Sequence, residues 1–392
     1  MFAVLSIARK VSARLITLFA VLWLAACQPV GLGGGGGSTI NPSAPVAVAL
    51  LVPHGAPSAQ EQKLARDLEA AARLAVADLQ GVAIDLRVYS TAGNAARAQQ
   101  AAQTAVADGA KIIIGPLHAE AANAAAVAVA RNNVNVLAFS NNTTIAGGNL
   151  FILGQTFDST AKRLASYASK NGKKRILTVY SNNLAGQLGK QAIERAVASS
   201  GGTNAGAVGY EFSQNGVVSA IPAIKAAAAS GGVDAIFMTA NAAGALPLFT
   251  QMLPEQGLGP DVAQYIGLAR WDVPPQTLNL PGVQGGWFAL PDPARTAQFD
   301  SRFAAATGER PHDLAGLAYD GIAAVGALVS GGSSNALSRG ALTQSAGFKG
   351  VNGVFRFRND GTNERGLAVA TVRNQRVVVI EGAPRGFGGA GF

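Results

Sequence analysis

Residues 112–158 read IIIGPLHAEAANAAAVAVARNNVNVLAFSNNTTIAGGNLFILGQTFD. Two apolar runs in this stretch, 112–114 and 134–138, are too short for helices, and each stops at a turn, which is typical of buried parallel strands. An alanine-rich segment with the length of a helix joins them. The stretch therefore predicts a strand–helix–strand unit with polar loops after its strands, where ligands bind in open α/β sheets.

The same alternation extends in both directions along the chain. A first series of predicted strands covers 46–52, 83–88, 111–114 and 134–138, and a second covers 175–180, 205–212, 235–238 and 264–267. Helical patterns lie between the strands, which indicates parallel sheets wound by crossover connections. The predicted fold class is α/β, with two doubly wound Rossmann-like lobes joined by hinge crossovers.

The domain organisation follows from these two series and from composition. We expect a signal peptide at 1–26, a Gly/Pro-rich tether at 27–45, lobe 1 at 46–155 and 291–349, lobe 2 at 156–290 and 350–380, and a disordered glycine-rich tail at 381–392. The uninterrupted glycine run at 33–37 favours a flexible tether, because no packed element forms from such a composition.

The N-terminus has the pattern of an export signal. Three basic residues precede residues 15–26, an apolar stretch of 12 that is too short to span a bilayer as a helix. It ends in Leu24–Ala25–Ala26–Cys27, which resembles a bacterial lipobox. That resemblance implies a lipid on Cys27. With Gln28 following, it also implies anchorage in the outer membrane, on its periplasmic side. An ordinary cleaved signal peptide with an unrelated cysteine is the alternative.

Composition limits the classes of function. The 392 residues are 49% apolar and 14% charged, which excludes a disordered chain. Cys27 is the single cysteine, so neither an intrachain disulfide nor a cysteine metal site can form. The net charge is +9, but the basic residues are scattered without an aromatic-interleaved stripe, so we expect no nucleic-acid binding.

Several motifs resemble those of leucine-binding-protein-like proteins. These are Ile114–Gly115–Pro116, the helix segment Leu317–Ala318–Tyr319–Asp320–Gly321, and FKGVNGVF at 348–355 with Asp360–Gly361 after it. The resemblance covers about residues 46–380 and implies the type I periplasmic binding protein fold.

A further set is similar to the lipoproteins called penicillin-binding protein activators. It comprises VLAFSN at 136–141, LGQTF at 153–157, and NGVFRFR at 352–358 followed by RGLAV at 365–369. This resemblance implies a non-enzymatic, outer-membrane-anchored regulator whose partner is a peptidoglycan synthase, that is, a penicillin-binding protein.

The chain departs from amino-acid-binding members of the leucine-binding-protein-like group. Those proteins place a serine or threonine where this chain has Ala119, a tyrosine where it has Ala185, and an acidic residue where it has 267–270. A desolvated zwitterion needs partners for both of its charges. An amino-acid receptor of the branched-chain ABC transport type, with a small-molecule ligand in the cleft between the lobes, is therefore the alternative function.

The candidate residues for a ligand or partner cleft lie in loops at strand ends, where binding residues are enriched. Each has a structural alternative: a surface histidine, a turn that caps a strand, or an aromatic packed at the hinge. The candidates are His54, His118, Ala119, Ser140, Asn141, Asn142, Arg270 and Trp271. His54 and His118 both follow lobe 1 strands and could face each other across the cleft.

Motifs for catalysis are missing from the sequence. It has three histidines, no G-x-S-x-G, no phosphate-binding loop, and no thiol once Cys27 is lipidated. We therefore expect no enzyme, cofactor or metal site. An enzyme that uses a carboxylate pair on cell-wall fragments is the third hypothesis.

Overall fold

A computed structural model describes residues 36–388. The predicted signal peptide, the lipidation site at Cys27 and the first part of the predicted tether lie outside these residues, as does the end of the predicted tail. Among the helices of the described part, none is long and apolar enough to cross a bilayer.

Five parallel strands form the sheet of lobe 1. They are β1 (Val46–Val52), β2 (Ile84–Ser90), β3 (Ile112–Ile114), β4 (Asn135–Ala138) and β5 (Leu150–Ile152). Their order across the sheet is β2–β1–β3–β4–β5. The order reverses after β2, so the connecting helices cover both faces of the sheet, as the sequence predicts for a doubly wound lobe.

The helices between these strands are α1 (Ala59–Asp78), α2 (Ala95–Ala107) and α3 (Ala119–Val129). Alternate residues of β1 serve opposite faces of the sheet. Val48 and Leu50 pack in the core that contains α1, whereas Ala49 and Leu51 pack in the core that contains α2 and α3. A strand covered on both faces needs a continuous apolar run, which is the pattern in the sequence of β1.

Lobe 2 repeats the alternation. Its first elements are α4 (Phe157–Lys170), β6 (Arg175–Ser181), α5 (Leu184–Ser199), β7 (Thr203–Tyr210), α6 (Gln214–Gly231), β8 (Ala235–Met238), α7 (Leu246–Glu255), β9 (Gln264–Gly267) and β10 (Trp287–Leu290). The predicted bounds of β1, β8 and β9 are confirmed to the residue.

The chain then returns to lobe 1 through α8 (Pro293–Thr307), α9 (Gly316–Val329) and α10 (Arg339–Leu342). A small antiparallel sheet follows, formed by β11 (Phe348–Gly350), β12 (Gly353–Phe357) and β13 (Asn363–Arg365). The rings of Phe348, Phe355 and Phe357 are buried in the core of lobe 1. Lobe 1 therefore extends through β13 rather than ending at residue 349 as predicted, because this sheet buries its aromatic face there.

Strands β14 (Ala368–Arg373) and β15 (Arg376–Glu381) complete the sheet of lobe 2. The order of its seven strands is β15–β14–β10–β9–β8–β6–β7, with β14 antiparallel to β10 and to β15. The chain beyond β15 continues against the small sheet, where the ring of Phe387 lies 4.5 Å from the Arg356 guanidinium. Residues 381–388 thus do not form the disordered tail that the sequence predicts.

The second half of the predicted tether packs on lobe 1. Ile40 is buried, and its backbone N–H donates to the carbonyl of Ser334 at 2.9 Å. The Asn135 side chain donates to the carbonyls of Gly36 and Leu337. Within the described residues, the tether prediction is therefore wrong for 36–45, because an apolar side chain and backbone hydrogen bonds hold this segment.

Serine and threonine side chains cap two of the helices. Ser58 caps α1, since its Oγ accepts from the Glu61 N–H at 3.1 Å. Helix α4 is capped by Thr156, whose Oγ1 accepts from the Ser159 N–H at 3.2 Å. Asp158 lies in the first turn of that helix and pairs with Arg195 at 2.6 Å.

Candidate functional site

His54 and His118 each contact a carboxylate of α1. His54 Nε2 lies 2.8 Å from Glu69 Oε2, and His118 Nε2 lies 2.7 Å from Glu61 Oε1. The two glutamates are eight positions apart, which separates them by about 12 Å along the helix. The prediction that the histidines face each other is therefore wrong. Instead, the two side chains connect the loops after β1 and β3 to α1 by hydrogen bonds. The glutamate partners are too far away in the sequence for any spacing to indicate them.

The loop after β4 lines part of the space between the lobes. Asn141 and Asn142 line a recess of about 250 Å³ opposite Leu184 and Ala185 of lobe 2. We call this space the asparagine recess. Two parallel sheets whose strand ends face each other bring these loops together.

Hydrogen bonds inside this loop fix its shape. The Asn142 N–H donates to Ser140 Oγ at 3.1 Å, and the Thr144 N–H donates to Asn142 Oδ1 at 2.9 Å. Ser140 is buried and Asn142 caps a short turn. Both side chains therefore stabilise the turn after the strand, which is the structural alternative to ligand binding. Ala119 is the first residue of α3 and is half-buried.

A larger cavity of about 470 Å³, which we call the apolar cavity, lies beside Phe157. Phe157 also lines the asparagine recess, so its ring stands between the two spaces. Lobe 1, lobe 2 and the crossovers all contribute walls, mainly apolar. The wall residues include Gln155, Asn241, Leu268, Arg270, Pro274, Pro291, His312, Asp313, Leu317, Asn352, Arg365 and Leu367.

Arg270 lines the apolar cavity but already has a carboxylate partner. Its Nε donates to Asp272 Oδ1 at 2.9 Å and its Nη2 to Asp272 Oδ2 at 2.6 Å. Burial alone would lower the pKa of Arg270, but the hydrogen bonds and charge of Asp272 outweigh burial and raise it. Arg270 therefore lines the cavity as a charged group held in a bidentate pair with Asp272.

Trp271 does not line the cleft, contrary to prediction. Its ring is fully buried in the core of lobe 2, where it stacks on Phe288 with centroids 6.3 Å apart. Gly267 and Gly286 lie so close that a Cβ on either would overlap the indole. Glycine at positions 267 and 286, at the end of β9 and just before the neighbouring strand β10, is the feature of the sequence that fits a large ring packed against this backbone.

Several cavity residues were not among the candidates. Asn241 follows β8 and could have been found by the same strand-end argument as Asn141. Leu317 and His312 belong to the return through lobe 1, and Phe157 opens α4. These residues come from segments that are far apart in the chain and follow no shared sequence spacing. The sequence therefore does not indicate that they line the same cavity.

Two arginines brace the crossovers that join the lobes. Arg365 Nε and Nη2 donate to the carbonyl of Leu153, at 3.0 and 2.6 Å. Arg163 of lobe 2 donates from Nε to the carbonyl of Leu367 at 2.6 Å. Arg365 and Leu367, which take part in these hydrogen bonds, lie on either side of Gly366. At Gly366 the chain passes from β13 in lobe 1 to β14 in lobe 2. Lobe movement about such crossovers is the usual way this kind of cleft opens and closes.

The chemistry of the cleft is that of binding. The described residues contain no group of three His, Cys, Asp or Glu side chains placed to hold a metal ion. The polar groups of the apolar cavity are amides, ion-paired arginines and single charges among apolar walls. Such a site recognises a partner or small molecule by shape and a few polar contacts.

Solved structures of other proteins share this architecture. They include a Rhodospirillum rubrum protein of the branched-chain amino acid ABC transporter type (TM-score 0.73, 18% identity, covering 86% of this chain and 100% of that one). A branched-chain amino acid ABC transporter periplasmic ligand-binding protein from Burkholderia xenovorans has a TM-score of 0.69 at 20% identity, with 88% and 97% covered. A Desulfitobacterium hafniense ABC transporter substrate-binding protein in complex with Leu has a TM-score of 0.64 at 18% identity, with 86% and 100% covered.

At sequence identities of 18–20%, the similarity to these structures shows a shared fold and nothing further. No curated protein sequence matches the chain. The family model described as periplasmic binding protein matches residues 45–376, which is most of the chain and nearly all of both lobes. With two doubly wound lobes, three crossovers and a cleft at the strand ends, this chain belongs to the periplasmic binding protein family, in its type I, leucine-binding-protein-like form.

Proposed function

We propose that this protein is a non-enzymatic, lipid-anchored periplasmic protein that regulates peptidoglycan synthesis, in the manner of the penicillin-binding protein activators. The observation that carries the proposal is the chemistry of its cleft. Where amino-acid receptors hold the two charges of a zwitterion, this chain has Ala119, Ala185 and the Leu268–Ala269–Arg270 segment. The sequence motifs shared with the activators support the same assignment.

The structure adds a reason why the remaining polar groups are poor anchors for an amino acid. Arg270 is paired with Asp272 and His118 with Glu61. An α-ammonium group placed beside Arg270 would meet a like charge. The one carboxylate among the described residues that line the cavity, Asp313, is at an exposed position, where an ion pair contributes little. A cleft of this kind is better suited to a docking module than to an amino-acid receptor.

Anchorage fits the same role. The lipobox-like sequence that ends at Cys27 supports a lipid anchor at the periplasmic face of the outer membrane, and the family is periplasmic by its description. Because residues 36–45 pack on lobe 1, only positions 28–35 separate Cys27 from the folded lobes. The folded lobes, rather than a long tether, would then span the distance toward a synthase in the inner membrane.

A solute receptor for ABC transport is the second candidate. The apolar cavity of about 470 Å³ favours it, because this volume is in the range of small-molecule sites. The relatives of known structure include a protein in complex with Leu. In this function the ligand would close the lobes, and a transporter of the inner membrane would recognise the closed form.

One pair of measurements separates the two functions. The glycan polymerisation rate of purified peptidoglycan synthases is followed with and without the protein from Gln28 onward, and we expect it to rise. Thermal unfolding of the same protein is followed with a panel of amino acids, where we expect no shift. A ligand at about 100 times its Kd would add about 2.7 kcal/mol and raise Tm by several degrees. An unchanged rate together with such a shift would contradict the regulator and establish the receptor.

A matched variant sharpens this test. Leu317→Trp places a large ring in the apolar cavity, whereas Val127→Trp adds the same ring to an exposed position of α3. Because Leu317 also packs in the core of lobe 1, Leu314→Trp is measured beside it, since Leu314 lines the same cavity and is 38% exposed. If the protein is a receptor, the cavity variants alone lose the thermal shift. If it is a regulator that docks through its surface, Leu314→Trp and Val127→Trp still stimulate the synthase.

A further inference from the structure

A second large recess lies on the other side of the asparagine recess from the apolar cavity. It has a volume of about 440 Å³ and shares Thr143, Asp158 and Arg195 with the asparagine recess. Helices α4 and α5 of lobe 2 form one wall, and β13 with the loop before it forms the other. We call it the polar recess. It lies beside the crossovers, away from the apolar cavity and Arg270.

Hydroxyl groups are concentrated in this recess. Apart from the methyl groups of Ala192 and Ala196, its lining is hydroxyl, amide and charged. The hydroxyl residues are Thr143, Thr156, Ser159, Ser199 and Thr362. Four of these hydroxyls already donate within the chain: Thr156 to Ser159 Oγ, Ser159 to the Asn363 carbonyl, Ser199 to the Ala196 carbonyl and Thr362 to Asp360 Oδ1. They are therefore available mainly as acceptors, which suits a ligand that carries several hydroxyl donors.

One wall of the recess carries an excess of positive charge. The buried carboxylate of Glu364 is surrounded by Lys162 at 2.6 Å, Arg356 at 2.6 Å and Arg358 at 3.1 Å. Burial alone would raise the pKa of Glu364, but these three cations outweigh burial and lower it from 4.5 to about 2. Glu364 is thus ionised at neutral pH, and three cations share its single negative charge.

The other charges at the recess are already matched. Asp158 pairs with Arg195 at 2.6 Å. The Asp360 Oδ1 accepts from the N–H and the hydroxyl of Thr362, at 2.9 and 2.6 Å, within its own turn. Three cations and three carboxylates line the recess, and Arg356, which contacts Glu364 from outside the lining, leaves one positive charge in excess around it. A ligand with one negative charge would complete the balance.

A buried acceptor in the recess wall lacks a donor. Asn363 is 5% exposed, and its Nδ2 donates to the carbonyls of Ile152 and Gly154 at 2.8 and 2.7 Å. Both of its donor hydrogens are therefore engaged in the crossover. Its Oδ1 has no hydrogen-bond partner in the described structure. Buried polar atoms are nearly always paired, so this oxygen calls for a donor from outside the chain.

We infer that the polar recess binds a monosaccharide that carries a carboxylate. Ring hydroxyls of the sugar would pair with the Ser and Thr hydroxyls and donate to Asn363 Oδ1. Its carboxylate would lie against Lys162 and Arg358, which have the charge and the forked donors that suit such a group. The volume is ample for one sugar ring. This site is separate from the cleft chemistry that carries the proposed function, and nothing in the regulator role requires it.

Calorimetric titration with matched sugars tests the inference. The protein from Gln28 onward is titrated with N-acetylmuramic acid and with glucuronate, and each is compared with its neutral counterpart, N-acetylglucosamine or glucose. We expect at least one acid to bind, with its neutral counterpart weaker by about tenfold or more. Binding of N-acetylmuramic acid would identify the cell-wall glycan as the source, and binding of glucuronate alone would identify another acidic glycan.

Two variants locate the site, and a third controls for charge. Arg358→Gln removes a half-exposed cation of the Glu364 cluster and should weaken the acid by about tenfold while leaving the fold intact. Ser199→Phe fills the recess from its exposed edge and should abolish binding. Arg376→Gln makes the same change of charge on the exposed edge strand β15 and should bind as the unchanged protein does.

The inference fails if neither acid binds, if acid and neutral sugars bind equally, or if Arg358→Gln and Arg376→Gln weaken binding to the same extent. These outcomes are independent of the synthase assay. If the protein binds an acidic sugar but stimulates no synthase, the inferred site stands and the proposed function fails. If it stimulates a synthase but binds no acidic sugar, the proposed function stands and the inferred site fails.

Discussion

Arg365 Nη1 lies 2.9 Å from Asp320 Oδ2 in an ion pair that is almost completely buried. Asp320 also accepts from the Val351 N–H at 2.8 Å, and Arg365 reaches the carbonyl of Leu153 with its other nitrogens. The pair therefore connects α9, the small sheet and the first crossover. Neither charge could remain at this depth without the other.

Replacing one member of this pair should be strongly destabilising. Asp320→Asn leaves the Arg365 guanidinium buried without its counter-charge, and we expect a loss of about 3–5 kcal/mol in the free energy of unfolding. Urea denaturation followed by circular dichroism measures it. Glu194→Gln, which breaks the partly exposed pair with Lys190, should cost at most about 0.5 kcal/mol. Equal losses in the two variants would contradict this account of the pair.

The Glu364 cluster predicts a pH-dependent stability. Because its pKa is about 2 in the folded protein against an ordinary 4.5, its contribution is complete above pH 4.5 and disappears as pH falls from 4.5 to 2. Glu364→Gln should therefore lose about 1–3 kcal/mol at pH 7 and differ little from the unchanged protein near pH 2. Unfolding measured across this range checks it, with the exposed Glu255→Gln as the control. A difference that stays constant with pH would refute the prediction.

The contact between Gly286 and Trp271 predicts a steric effect in lobe 2. A Cβ at position 286 would lie 2.0 Å from Trp271 Cζ3, so Gly286→Ala must displace a fully buried indole. We expect destabilisation of about 1–3 kcal/mol together with a change in the near-UV circular dichroism. Gly340→Ala is the matched control, because its Cβ would meet nothing within 4 Å and alanine favours its helix. If Gly286→Ala is as stable as the control, the packing described here is incorrect.

The segment before β1 predicts that stability depends on residues outside the two sheets. Ile40 is 6% exposed in the core of lobe 1, so Ile40→Ala should cost about 2–4 kcal/mol. A chain that starts at Val46 should lose at least as much, since the backbone hydrogen bond to Ser334 disappears as well. Thermal and urea unfolding measure both changes. Ser43→Ala, at an exposed position, should remain within about 0.5 kcal/mol, and an equally small effect of Ile40→Ala would show that 36–45 behaves as a tether.

The order of strands and helices could be predicted because it depends on residues that are neighbours in the chain. Short apolar runs that end at turns gave β1, β8 and β9 their bounds, and alternation with helices gave the parallel sheets. The rule that ligands bind at strand ends led to Asn141, Asn142 and Arg270, which line cavities in the structure; whether they bind a ligand stays a prediction. The predicted export signal and lipidation of Cys27 rest on the sequence alone, since both lie outside the residues that the structure describes.

Tertiary structure decided what depends on residues far apart in the chain. His118 is held by Glu61, 57 positions earlier, and Asp320 by Arg365, 45 positions later. The aromatic face of β12 could have been buried by either lobe, and only packing assigns it to lobe 1. Trp271 lies in the core because two glycines, one on either side of it, leave room for its ring. Local periodicity determines which face of an element is apolar, whereas the partner of that face is chosen by the complementarity of surfaces that meet only in the folded chain.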